Sequence, residues 1–184
     1  MHRIVLSWTV ILLLCATAAV AQLPTSGNIF VGYSYNHADL DSSNTTNLNG
    51  WNGSLEGRIF PYVGIVADLG GYYGGINLPF GCSGVGCGHA DASVHSVLFG
   101  PQVSAPIGRI SPFAHVLVGV GHVSVSGSGL SDSDTSLATA VGGGVDYELI
   151  HSVGWRTQID LLHTRFFGNT QNDFRLSTGL AFHF

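Results

Sequence analysis

From residue 28 onward, apolar side chains recur at every second position in segments about ten residues long, separated by polar, turn-rich stretches. A period of two is the period of a strand with one apolar face. The alternation predicts strands over 28–37, 48–59, 63–73, 92–104, 112–124, 136–148, 153–164 and 173–184, and no helix after residue 22. In the last strand Phe174, Leu176, Thr178, Leu180, Phe182 and Phe184 oppose Arg175, Ser177, Gly179, Ala181 and His183. In the seventh, Trp155, Thr157, Ile159 and Leu161 oppose Arg156, Gln158 and Asp160. Pro101 falls inside the fourth strand, where it removes a ladder donor and predicts a bulge or an earlier strand end.

The two faces differ in size as well as polarity. The apolar face carries bulky and aromatic groups, which suits hydrocarbon; the polar face mixes its few charges with Gly, Ala and Ser, which suits a crowded interior. A bilayer requires every backbone group to be paired, and a closed barrel meets that requirement without an edge, so closure accounts for a chain that ends inside a strand. The connections after strands two, four and six are short ("IFPYV", "APIGRIS", "LIHSV"), and those after one, three, five and seven are long and polar. This predicts an eight-stranded antiparallel up-and-down transmembrane β-barrel, all-β, with short periplasmic turns, long extracellular loops and both termini at the turn end. Aromatic side chains gather near the strand ends as two interfacial belts: Phe60, Tyr62, Phe113, Tyr147, Trp155, Phe182 and Phe184 at the turn side, and Tyr33, Tyr35, Tyr72, Tyr73, Phe166 and Phe174 at the loop side.

Composition agrees. Only 9% of the 184 residues are charged, and lysine is absent, whereas a soluble domain carries about 25% charged residues. The acidic balance, formally −5, with no basic cluster, argues against nucleic acid as a partner. A soluble barrel holding a small ligand in its mouth needs a charged outer face, which this composition does not supply. Residues 1–21 read as a signal peptide: "MHR", then an apolar run, then "AVA" before Gln22. The barrel domain is then 22–184, in a compartment where disulfides persist.

The alternating strand ending at Phe184, the glycine-rich "VGGGVDYEL" and the segment "GWRTQIDLLHTRFF" together resemble the small eight-stranded outer-membrane β-barrel family typified by the transmembrane domain of outer membrane protein A. The resemblance covers about residues 28–184. It implies insertion in the bacterial outer membrane among lipid and lipopolysaccharide, a C-terminal strand with Leu180, Phe182 and Phe184 as the signal for the barrel-assembly machinery, a monomeric state and no cofactor. No peptidoglycan-binding domain follows in this sequence, so anchoring by that route is unsupported.

The inward set assigned from the alternation is Glu56, Arg58, Asp68, Gln102, Asp146, Arg156, Gln158, Asp160 and Arg175. Three arginines facing four carboxylates predict a paired network across the lumen that plugs it, in preference to a gated ion path. Cys82 and Cys87 in "CSGVGC" suit a disulfide in the longest loop better than a metal site with His89 and Asp91. His122 and Ser124 share a strand face and match the spacing of lipid A deacylase barrels, but no acidic partner is evident and no catalytic role is assigned. Asp39, Asp41, Asp132 and Asp134 make the loops acidic, solvated rather than committed to divalent cations. The function expected is that of a non-enzymatic surface barrel, with a narrow pore as the alternative.

Overall fold

A computed structural model describes residues 26–41, 44–77, 89–127, 130–166 and 169–184. Alternating apolar and small polar residues, rich in Val, Ile, Tyr and Phe, form strands throughout: β1 (Gly27–Asp41), β2 (Asn44–Phe60), β3 (Val63–Asn77), β4 (His89–Ser104), β5 (Ile110–Gly127), β6 (Leu130–Ile150), β7 (Val153–Phe166) and β8 (Asn169–His183). Each pairs antiparallel with its sequence neighbours, and β8 pairs with β1, so the sheet closes as an eight-stranded barrel. Opposed residues followed from His122 through His95, Gly71, Trp51, Tyr33, Thr178, Thr157 and Val145 return to β5 at Pro112, ten positions nearer the turn end. This stagger tilts the strands and sets a bore that side chains can fill.

The barrel is inside out relative to a soluble protein. Ile29, Val31, Leu55, Ile65, Val97, Phe99, Val141, Ile159 and Leu161 are exposed, while Asn28, Asn52, Glu56, Asp68, Gln102, Arg156 and Arg175 are buried. The interior is not polar all round, however. Val66, Leu98, Leu117, Ala138, Ala140 and Leu162 form an apolar cluster inside the lumen on the β3 to β7 side. Strands β4 and β5 contribute to it because "SVLFG" and "FAHVLVGVG" are apolar on both faces, one face meeting lipid and the other this wedge.

Three expectations are corrected. The strands run beyond the alternating segments at the long-hairpin end, where Asp41 pairs with Asn44 and Gly127 with Leu130, so most of the expected loop sequence is strand ladder. Polar residues on both faces are what a strand carries once it leaves the membrane and is wet on both sides. Pro101 neither ends β4 nor creates a bulge: β4 continues to Ser104, Pro101 pairs with Ile65 of β3, and the ladder to β5 skips Gly100 and Pro101 without changing register. Tyr72 and Phe113 do not belong to the aromatic belts, because both are buried in the lumen. The side chain of Phe166 lies outside the described residues.

At the other end the turns are tight. Pro61 and Tyr62 join β2 to β3, and His151 and Ser152 join β6 to β7. In the third turn Ile107 bridges Ile110 around Gly108, whose φ of 63° is the left-handed conformation that glycine adopts at little cost.

Candidate functional site

The alternation of β7 and β8 aims Arg156, Gln158, Asp160 and Arg175 into the bore, and the closed register brings them against β1, β2, β3 and β6. Two connected polar layers result.

In the layer toward the turns, Arg156 forms a bidentate pair with Asp146, Nε to Oδ1 and Nη2 to Oδ2 both at 2.6 Å. Nη2 also donates to Asn28 Oδ1 at 3.0 Å. The Asn28 amide donates to Glu56, which accepts a further bond from Gln102 at 2.8 Å. The Arg156 guanidinium lies over the rings of Phe30 and Phe113, 5.3 and 4.6 Å from their centroids, so both aromatics face inward as its packing surface. Arg58 sits at the mouth, partly exposed, with Nε 3.7 Å from Glu56 Oε1.

In the second layer Arg175 spans the bore. Its Nε donates to Asp160 Oδ2 and its Nη1 to Asp68 Oδ1, each at 2.7 Å, and Nη1 also reaches the Tyr72 hydroxyl at 3.2 Å. His115 Nε2 lies 2.7 Å from Asp160 Oδ1. Asn52 donates to Asp68 at 2.9 Å, and Gln158 donates to Asn52 Oδ1 at 3.1 Å and to Asp160 Oδ2 at 3.3 Å. Gly142 faces this layer: a Cβ there would lie 2.1 Å from Asp160 Oδ1. Glycine at that position leaves room for the carboxylate to stand between Arg175 and His115.

All nine residues assigned to the lumen from the sequence face the bore. Asn28, Asn52, Tyr72 and His115 belong to the same network and were outside that set. Asn28, Asn52 and Tyr72 follow the alternation of their own strands and were identifiable by it; His115 needed the register, since β5 is apolar on both faces. Buried charges of this kind hold only when paired and hydrogen-bonded; Arg156 and Asp146, like Arg175 and Asp160, are partners on adjacent strands, and Arg175 also reaches across the bore to Asp68 of β3. Cys82 and Cys87 lie outside the described residues, as do the side chains of His89 and Asp91.

The outward face carries a second set of polar groups, near the long-hairpin end. His37 Nδ1 is 2.7 Å from Asn47 Oδ1, His122 Nδ1 is 2.7 Å from Thr135 Oγ1, and His163 Nδ1 is 2.7 Å from Asn172 Oδ1. His95 is directly opposite His122 across β4 and β5 and meets the Tyr73 ring edge-on at 5.7 Å. Ser124 shares the outward face of His122, but the group on His122 Nδ1 is a threonine hydroxyl where a catalytic triad would place a carboxylate. Among the described residues no cluster of three or more metal-ligating side chains occurs.

The sequence profile of the family described as outer membrane protein beta-barrel domain matches residues 6–184. A search of curated protein sequences gives no match. Among solved structures the chain is similar to Ail, the attachment invasion locus protein of Yersinia pestis, at 18% identity over 87% of this chain and 100% of that one, with a TM-score of 0.60. Neisserial surface protein A aligns at 15% identity over 86% of this chain and 97% of that one, with a TM-score of 0.67. The N-terminal β-barrel domain of Pseudomonas aeruginosa OprF aligns at 14% identity over 89% of this chain and 100% of that one, with a TM-score of 0.54.

Proposed function

Because the chain belongs to the outer membrane protein β-barrel domain family, we propose that this barrel of the bacterial outer membrane is a non-enzymatic, non-conducting, monomeric protein whose projecting hairpins make surface contacts. The observation that carries this reading is the Arg175 clamp, which joins Asp68 and Asp160 across the bore. The Arg156 layer on one side and the Leu98, Leu117 and Leu162 wedge beside it fill further parts of the lumen among the described residues, which supports a plugged bore.

The hairpins supply the other half of the argument. A tilted strand crosses a bilayer in about 9–11 residues, whereas β2, β5 and β6 have 17, 18 and 21. The excess lies at the long-hairpin end, beyond the apolar belt, and presents Ser, Thr, Asn and Asp to solvent. One barrel of similar fold, Ail of Yersinia pestis, has been solved in complex with the heparin analogue sucrose octasulfate, which makes surface binding of a ligand a reasonable role for the architecture. Leu180, Phe182 and Phe184, outward on the closing strand, are proposed as the signal read by the barrel-assembly machinery.

Planar-bilayer recording of the purified protein tests the plugged lumen. The expected result is no steady single-channel conductance in about 1 M salt, roughly sevenfold above physiological ionic strength. Reproducible ohmic steps that survive rigorous removal of co-purifying porins overturn the reading and make the protein a narrow channel.

A further inference from the structure

His37, His95, His122 and His163 lie on outward faces of their strands near the long-hairpin end, and none of them takes part in the lumen network. The ladder separates them into two kinds. His37 stands opposite Asn47 and Phe174, and His163 stands opposite Asn172 and Thr139, so each is a single imidazole with no second one facing it. His95 and His122 are directly opposite each other on β4 and β5. Residues so placed on one face hold their Cβ atoms about 4.5–5.5 Å apart. Two imidazoles can close that gap around a single ion, with metal to nitrogen bonds of about 2.0–2.1 Å.

The hydrogen bonding leaves ring nitrogens open for a metal. His122 Nδ1 lies 2.7 Å from Thr135 Oγ1. With that nitrogen donating to the hydroxyl, Nε2 keeps the lone pair a metal takes, and the ring is held in orientation as the outer hydrogen bond of a ligating histidine holds it. His95 meets the Tyr73 ring edge-on at 5.7 Å, which steadies its plane, while neither of its nitrogens has a hydrogen-bond partner among the described residues. Both imidazoles are exposed, so an ion reaches them from water. The residues flanking the pair, from Gly71 and Tyr73 on β3 to Thr135 on β6, are all described and bring no cationic side chain to it. A chain without lysine and with a formal charge of −5 also favours a cation. Structural zinc sites take four protein ligands, whereas two imidazoles with water in the open positions suit the tetragonal N,O set of divalent copper, which also binds most tightly in the first-row series.

We propose that His95 and His122 bind one divalent copper ion across β4 and β5, each through one imidazole nitrogen, with water completing the coordination. The two ligands are 27 positions apart in the chain, so no local spacing announces the site, and only the register brings them together. Copper capture on the outward surface is a function separate from the plugged bore and from the hairpin contacts.

The test uses the mature, untagged barrel in detergent micelles, in a Cys82→Ser, Cys87→Ser background that removes thiol ligands. Divalent copper is titrated against a competing chelator, and pulsed electron paramagnetic resonance counts the imidazoles bound to it. The parent is expected to take one ion held by two imidazoles. His95→Gln and His122→Gln each weaken binding by about tenfold or more, the least that losing even a supporting group costs such a site, while His37→Gln with His163→Gln stays within about twofold of the parent. Each single variant at the site leaves one imidazole in the spectrum, and the control keeps both. Glutamine suits two exposed positions, and the heat-dependent gel shift verifies that each variant is folded before titration. The imidazole count of the parent needs no variant: a single imidazole there means that the two rings do not converge, which overturns the site. Copper binding unchanged in the His95→Gln, His122→Gln double variant places the ion on the terminal amine or another histidine and overturns it as well.

Discussion

Replacing Arg175 with methionine lowers the unfolding free energy of the barrel by about 3–5 kcal/mol, the usual cost of removing one partner from a buried ion pair. Arg175 is 0% exposed, and its loss strands Asp68 and Asp160, which accept 2.7 Å bonds from it on opposite walls. Asn52, Gln158 and His115 remain on the two carboxylates, yet none brings a permanent charge to them. The measurement is urea-induced unfolding of the folded barrel in lipid vesicles, followed by tryptophan fluorescence and by the heat-dependent gel shift. Methionine fills much of the arginine volume, so the loss reports on charge more than on a cavity. Adding Asp68→Asn and Asp160→Asn to Arg175→Met is expected to recover most of the stability, since removing a buried ion pair together with its partners is often close to neutral. A loss below about 1 kcal/mol in the single variant means that water, not Arg175, satisfies the two carboxylates.

The second large effect comes from the opposite face. Ile159 is 47% exposed and opposes Leu176 and Gly143 on the outer surface of β7. In a soluble barrel, Ile159→Arg at so exposed a position would change stability by about 0.5 kcal/mol or less. On a lipid-facing strand near the middle of the bilayer, the same change costs about 2–4 kcal/mol. Vesicle unfolding decides between the two. The companion change Ser152→Arg, in the exposed turn after β6, is expected to fall within about 0.5 kcal/mol of the parent.

What could be read from the chain divides along a physical line. Wherever one face meets lipid and the other meets a polar interior, as at Ile159 and Asp160 or Phe174 and Arg175, the period of two identifies the strand, its faces and the inward charges together. Where both faces meet the same kind of surroundings the period vanishes. The Asn44 to Asn47 segment of β2 and the Ser131 to Asp134 segment of β6 are polar on both sides and resemble loop, although both pair with a neighbouring strand. Leu98 and Leu117 sit in segments apolar on both sides, so the wedge they form inside the lumen was invisible. Tyr72 and Phe113 were placed in the belts by nearness to a strand end; parity with Asp68 and Gly70 would have turned Tyr72 inward, whereas Phe113, like His115, needed the register. The facing of His95 and His122, 27 positions apart, depends on the register of β4 against β5 and on nothing local to either residue.

The central claim is that this barrel turns its apolar face to lipid and its charged face to a filled bore. Nitroxide scanning of β7 tests it most directly: single cysteines from Thr157 to Leu162 in a Cys82→Ser, Cys87→Ser background, reconstituted in bilayers, with collision rates measured for oxygen and for a water-soluble nickel chelate. The account predicts high oxygen accessibility at Thr157, Ile159 and Leu161, low accessibility to both reagents at Gln158, Asp160 and Leu162, and a strict period of two between them. High nickel accessibility at Ile159 and Leu161, with oxygen accessibility no greater there than at their neighbours, would contradict it and place the bulky face in water.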